Sequence, residues 1–343
     1  MDKKLLEELT KKVQDWTNQV PLIILGSGAS IPFGIPSMTN LGECLKNNIS
    51  FFNSEDQQQF NGFKAEFDKT NDLETTLLNI QLQDTVLNRI IYETWNLINQ
   101  KDIELYEKLL QDNSIIPLIE LISHLLNTAQ RKISVITTNY DRLIEYAASI
   151  VNAFVCNVFT QNYYGKFMPG IIENDFSKTK GFSGQVNLWK VHGSLDWFNK
   201  DDTNYNFPMR KTIPENYIPS IITPGSTKYS KSHFEPYRTI FAESDKEILN
   251  ARSILCIGYG FNDAHVQPKL ITQIKSSKPI IVITKKLTQK TKEAIIGNNC
   301  KNYVLFEQAN DNDTMVYSSL FKDAQIIPNV NFWKLEEYLK LIK

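Results

Sequence analysis

The run Leu22-Ile23-Ile24-Leu25, broken at once by Gly26-Ser27-Gly28-Ala29-Ser30, most narrows what this chain can fold into. Four aliphatic residues without alternation suit a strand covered on both faces, as in a parallel sheet between helical layers. Further strands are expected at Ile133-Ser134-Val135-Ile136, Val186 to Val191, Ile254 to Gly258 and Ile280 to Thr284, with Tyr303 to Phe306 as a short last one. Helical spacing lies between and around them. Leu5, Leu6, Leu9, Val13 and Trp16 mark a helix over 3–17, and others are expected near 39–45, 143–151, 235–250, from Ala264, over 287–296 and over 332–342. Strands alternating with helices predict an α/β doubly wound parallel sheet. Residues 54–127 carry helical patterning and no strand signal, so they read as a helical module inserted beside the sheet. The expected division is one domain over 1–343, with a core of 20–53 and 128–310, the module 54–127, and a C-terminal helical extension 311–343.

A chain of 343 residues with 42% hydrophobic content can bury a large core. The formal net charge of −1 gives no bulk field favouring nucleic acid or an anionic membrane. Cys44, Cys156, Cys256 and Cys300 are far apart and form no C-x-x-C pair, so neither a zinc ribbon nor a disulfide framework is expected. Cys256, inside Ile254-Leu255-Cys256-Ile257, reads as a core residue. Met1-Asp2-Lys3-Lys4 opens no signal-peptide core, and no apolar run approaches the roughly 20 residues of a membrane helix. A cytoplasmic protein is the expectation. Residues 199–234, with Pro208, Pro214, Pro219, Pro224 and Gly225, read as loop-rich.

In doubly wound sheets ligands bind beyond the carboxyl ends of the strands, so polar clusters that follow strands are the candidates. After the first strand, Gly26 and Gly28 permit a sharp turn and close backbone approach to a phosphate. The spacing departs from G-x-G-x-x-G, and Gly34-Ile35-Pro36-Ser37 prolongs a rigid loop. The second strand ends in Thr137-Thr138-Asn139-Tyr140-Asp141; Asp141 serves equally well as a helix cap, Asn139 less easily. Lys190-Val191-His192-Gly193-Ser194 delivers a histidine, a residue that titrates near neutral pH, just before a glycine. Gly258-Tyr259-Gly260-Phe261-Asn262-Asp263 suits a ribose or phosphate, with Asn262 or Asp263 equally able to cap the next helix. Of the other histidines, His124 sits in an apolar helix, His233 in a loop and His265 at a helix start.

Taken in order, GSGAS…GIPS, TTNYD, KVHGS and GYGFND resemble the Sir2 (sirtuin) superfamily over roughly residues 20–285. The resemblance implies a Rossmann-like domain binding NAD+, with a helical module beside it. Gly26, Ser27, Gly28, Ser30 and Ile35 would line the NAD+ site, and Gly258 and Tyr259 would face its adenosine half. Asn139 would contact the nicotinamide ribose and position water, Asp141 would hold the carboxamide, and His192 would be the catalytic base. Two departures matter. Ser37-Met38-Thr39 stands where protein deacylases carry Asp-Phe-Arg, and no cysteine lies between Cys156 and Cys256 to build their four-cysteine zinc module. Ile221 to Lys228 is similar to the SIR2-like branch of bacterial antiphage systems, whose activity is NAD+ hydrolysis.

That chemistry suits these residue types. Nicotinamide leaves from a pyridinium, so no general acid is needed, unlike the two-carboxylate arrangement of ordinary glycosidases. An asparagine can orient water, and a histidine can withdraw its proton. The expectation is therefore an NAD+ hydrolase with NAD+ as substrate and no zinc. The alternatives are an NAD+-binding sensor and an ADP-ribosyl transferase or deacylase. An unrestrained hydrolase would exhaust its host, so activation by homo-oligomer formation or by a partner protein encoded nearby is expected.

Overall fold

A computed structural model describes residues 2–160, 163–223, 233–263 and 266–343. The helices are α1 (Lys3–Thr17), α2 (Met38–Asn48), α3 (Ser54–Thr70), α4 (Leu73–Asn79), α5 (Asp84–Leu109), α6 (Pro117–Leu126), α7 (Leu143–Ile150), α8 (Tyr237–Asn250), α9 (Gln267–Lys275), α10 (Gln289–Lys292) and α11 (Leu335–Ile342). The strands are β1 (Leu22–Leu25), β2 (Lys132–Thr137), β3 (Ala153–Cys156), β4 (Gly165–Lys166), β5 (Gly184–Lys190), β6 (Gly193–Lys200), β7 (Thr203–Asn206), β8 (Ile218–Ile221), β9 (Ile254–Ile257), β10 (Ile280–Ile283), β11 (Tyr303–Gln308), β12 (Thr314–Ser318) and β13 (Gln325–Ile327).

The aliphatic runs form the middle of a nine-stranded sheet in the order β13-β12-β11-β10-β9-β1-β2-β5-β3. From β11 to β3 every pairing is parallel, with β1 between β2 and β9. All four residues of β1, β9 and β10 are buried, as strands covered on both faces must be. Side chains alternate between two cores. Ile23, Leu25, Val135 and Leu255 pack with α1, α6, α7 and α11, whereas Ile24, Ile136, Cys256 and Val282 pack with α8 and α9. The α/β doubly wound, Rossmann-like parallel sheet is thus present. Cys256 is fully buried, and that burial pushes its thiol well above the ordinary range.

Residues 54–127 are helical, as the patterning predicts, and α2 to α5 enclose a third core. Phe60, Phe63 and Phe67, one per turn along α3, stack in it. Leu195, Phe198 and Ile221 of a small second sheet, ordered β4-β7-β6-β8, join the same core. Within the stretch 199–234, expected to be loop-rich and described as far as Thr223 and again from His233, that sheet adds β7 and β8. Its strands are short, interrupted by Pro219 and an irregular β6–β8 register, so they lack the apolar runs that betray the main sheet. The C-terminal segment differs as well. Tyr303–Gln308 is not the last strand, and 311–343 contributes β12 and β13 as an antiparallel edge before its helix α11. Thr314-Met315-Val316-Tyr317-Ser318 alternates buried and half-buried positions, a one-sided edge pattern unlike the buried runs.

Candidate active site

Because β1, β2, β5 and β9 run parallel, the segments following them emerge along one edge of the sheet. A cleft of about 240 Å³ opens there. Gly26, Ser27, Ser30 and Ile35 line it after β1, Asn139 and Asp141 after β2, His192 after β5, and Tyr259 after β9. Asp72 and Glu74, at the start of α4, add the wall from the helical module. A larger hollow of about 690 Å³ lies elsewhere, lined by Pro21, Leu22, Lys132, Ile133 and α8 residues. It sits at the amino ends of β1 and β2 and contains none of the strand-end motifs.

Gly28 and Gly258 are the exceptions among the expected site residues, for neither lines the cleft. They face one another instead. The Gly28 N–H donates to the Gly258 carbonyl at 3.1 Å, and a Cβ on Gly28 would come within 2.8 Å of the Gly258 Cα. Gly258 adopts φ +58°, and a Cβ there would meet the Ala29 nitrogen at 2.3 Å. These two glycines let two strand-end loops touch backbone to backbone. The stretch Ile221 to Lys228 is described only as far as Thr223, and His265 lies outside the described residues.

A hydrogen-bonded chain sets the rest. The Asn139 amide donates from Nδ2 to the Gly26 carbonyl at 2.9 Å and to Ser30 Oγ at 3.0 Å. The almost fully buried Ser30 hydroxyl in turn favours the charged form of the Asp141 carboxylate. Asp141 also accepts the Leu143 N–H at 3.2 Å, so its capping role is real, and the same side chain lines the cleft. Burial raises the Asp141 carboxyl above the ordinary range, while Lys190 and the Ser30 hydroxyl oppose that shift.

Sequence reasoning left Lys190 without a role. It is fully buried at the end of β5, where its Nζ donates to the Asp141 carbonyl, to the Tyr140 carbonyl at 3.2 Å and to Glu145 Oε1 at 2.8 Å. A buried ammonium is costly unless it is paired and hydrogen-bonded, and here it clamps the loop after β2. Burial, outweighing the attraction of Lys190, lifts the Glu145 carboxyl to about 7. The Tyr140 hydroxyl donates to the Ile222 carbonyl at 2.6 Å, and the Ile222 N–H donates to the His192 carbonyl at 2.8 Å. The loops after β2 and β5 are therefore tied through Ile222, the residue that follows β8. Asp263 was legible only as a candidate cap. It does accept the Val266 N–H at 3.0 Å, yet its second oxygen lies 2.6 Å from His192 Nε2.

Among the described residues, four carboxylates, of Asp72, Glu74, Asp141 and Asp263, thus line the cleft with one imidazole and no lysine or arginine. Among the described residues, no three His, Cys, Asp or Glu side chains converge as a metal site requires, and no helix is long and apolar enough to cross a membrane.

The SIR2-like domain family matches residues 133–293. No curated protein matches the chain. Among solved structures, a Sir2 homologue mutant bound to ADP-ribose is 15% identical, with 85% of this chain and 88% of that one covered at a TM-score of 0.45. A Sir2 homologue–NAD complex is 16% identical over 89% and 88% of the two chains, with a TM-score of 0.40. The segment that matches the SIR2-like domain family, residues 133–293, holds β5, β9, β10 and all of β2 but its first residue.

Proposed function

We propose that this chain is an NAD+ hydrolase that cleaves the bond between nicotinamide and ribose to give nicotinamide and ADP-ribose. The observation that carries this reading is the sharing of one strand-end cleft by Asn139 and His192, together with Ser30 and Asp141. In this reading Gly26, Ser27, Ser30, Ile35 and Tyr259 hold the dinucleotide, and Asp141 holds the carboxamide. Gly28 and Gly258 act from behind, by letting the loops meet. Asn139, anchored on Gly26 and Ser30, orients a water. His192 takes a proton from that water or from a ribose hydroxyl, a role worth about 10²–10⁴-fold. The acidic lining supports the assignment. Positive charge resides on the pyridinium before cleavage and on the ribose as the bond breaks, and carboxylates favour both forms.

A cleft of about 240 Å³ is smaller than the roughly 300–1,000 Å³ usual for ligand pockets, so the full dinucleotide requires the loops to part. That requirement fits an effector kept silent at rest and switched on by self-assembly or by a partner protein, as in bacterial antiphage defence. Purified protein incubated with NAD+ tests the reading. Equal amounts of nicotinamide and ADP-ribose are expected, with far faster release once assembled or partnered. Nicotinamide without free ADP-ribose would favour a transferase. Tight NAD+ binding without cleavage, even when activated, would favour a sensor.

A further inference from the structure

Asp263 and His192 reach each other across the cleft. Their loops follow β9 and β5, which are separated in the sheet by β1 and β2. The Nε2–Oδ2 distance is 2.6 Å, and the two side chains are 9% and 5% exposed, so solvent screens the contact little. Both partners are held by backbone. Asp263 Oδ1 accepts the Val266 N–H just ahead of α9, and the His192 carbonyl accepts the Ile222 N–H. A helix cap alone needs one carboxylate oxygen and leaves the other free to face water. Here the second oxygen is buried against the imidazole.

We propose that Asp263 is a positioning residue, which fixes His192 in the tautomer protonated at Nε2 and leaves Nδ1 as the nitrogen able to accept a proton. This rests on the hydrolase reading for the proton's origin. As a ribose hydroxyl or water loses its proton to Nδ1, the O–H electron pair stays on oxygen and the ring becomes imidazolium. The Asp263 carboxylate then faces the new positive charge in a site where attraction is stronger than in water. The tautomer of a histidine is set by what its other nitrogen bonds to, and Asp263 Oδ2, 2.6 Å from Nε2 but not aligned with it as a hydrogen bond in this structure, is the acceptor the ring would turn to. The GYGFND segment thereby contributes to catalysis through its last residue as well as to binding through Tyr259.

Nitrogen-15 NMR of the imidazole rings tests the tautomer without any turnover, and with four histidines in the chain the His192 signal can be assigned by its loss in His192→Ala. In the neutral ring of the wild type, the proton is expected on Nε2. Asp263→Asn keeps the shape, but its amide can donate to Nε2 and should move the proton to Nδ1. With NAD+ the same variant should lose kcat on the order of 10²–10⁴-fold while KM changes less than about threefold. Protonation at Nδ1 in the wild type, or a tautomer unmoved by Asp263→Asn, overturns the proposal. So does faster nicotinamide release from Asp263→Asn, because the pair would then be a lock. A wild type that shows the expected tautomer and shift but cleaves no NAD+ even when activated sinks the hydrolase reading and leaves the pairing standing.

Discussion

Two buried pairs, one between arginine and aspartate and one between histidine and aspartate, occupy neighbouring parts of this molecule and are built differently. Arg142–Asp102 lies between the helical module and the loop leading into α7. Asp102, on α5, is fully buried, and it accepts the Arg142 backbone N–H and Nε, each at 2.8 Å, and the Tyr146 hydroxyl. Arg142 also reaches Asn99 Oδ1 at 2.8 Å. His192–Asp263 stands at the cleft. Asp263 caps the start of α9 through the Val266 N–H, and both side chains line an open cavity. The first pair is enclosed by its own partners and fastens the module to the sheet. The second faces space that a substrate would fill. Burial and charge alone do not separate a structural pair from a working one; access to the cleft does.

Substitutions should pull the two apart. His192→Ala is expected to lower nicotinamide release about 10²–10⁴-fold while moving the urea-unfolding free energy by less than about 1 kcal/mol. Asp102→Ala leaves a buried guanidinium without its anion and should cost about 3–5 kcal/mol in the same unfolding measurement. Equal stability losses in the two variants would erase the distinction. Asn139→Ala removes the amide that joins Gly26 to Ser30, and kinetic assays should show a loss of about 10²–10³-fold in kcat.

The Lys190–Glu145 pair is intermediate, close to the loop after β2 yet outside the cleft lining. Burial holds the Glu145 carboxyl at about 7 against an ordinary 4.5, so the folded chain binds that proton more tightly than the unfolded one. Its contribution to stability is complete below about pH 4.5 and is lost as pH rises through about 7. The stability difference between wild type and Glu145→Gln should therefore shift against the wild type by up to about 3 kcal/mol between about pH 4 and pH 8. A pH-independent difference in urea titrations would remove Glu145 from the account. The smallest effect is expected at Gly28→Val. With the Gly258 backbone 2.8 Å from the added Cβ, the substitution should loosen the loop contact and cost about 1–3 kcal/mol, read as a lowered melting temperature.

Much of the main sheet could be read directly because strands buried on both faces need unbroken aliphatic runs, and Leu22–Leu25, Ile254–Ile257 and Ile280–Ile283 each supply one. The small β4-β7-β6-β8 sheet and the β12–β13 edge could not. One-sided strands alternate, and Pro219 and a shifted register blur even that pattern. Asn139, Asp141 and His192 were legible as strand-end polar residues because parallel strands deliver their carboxyl ends to one edge. Lys190 and Asp263 were not, since their significance is a partner far away in sequence. Lys190 looks like a strand-end lysine until the Asp141 carbonyl is seen at its tip, and Asp263 looks like a cap until His192 appears beside it. Gly28 hides a constraint of the same kind. A side chain there would meet the Gly258 backbone, a neighbour more than two hundred residues away in sequence.

The central claim is that Asn139 and His192 act together on one carbon of a bound dinucleotide. Its most direct test is chromatographic measurement of nicotinamide and ADP-ribose from NAD+, comparing the activated wild-type protein with His192→Ala. The account predicts one-to-one release by the wild type and a loss of at least about 10²-fold in the variant, with its fold intact. Undiminished release by folded His192→Ala would contradict it.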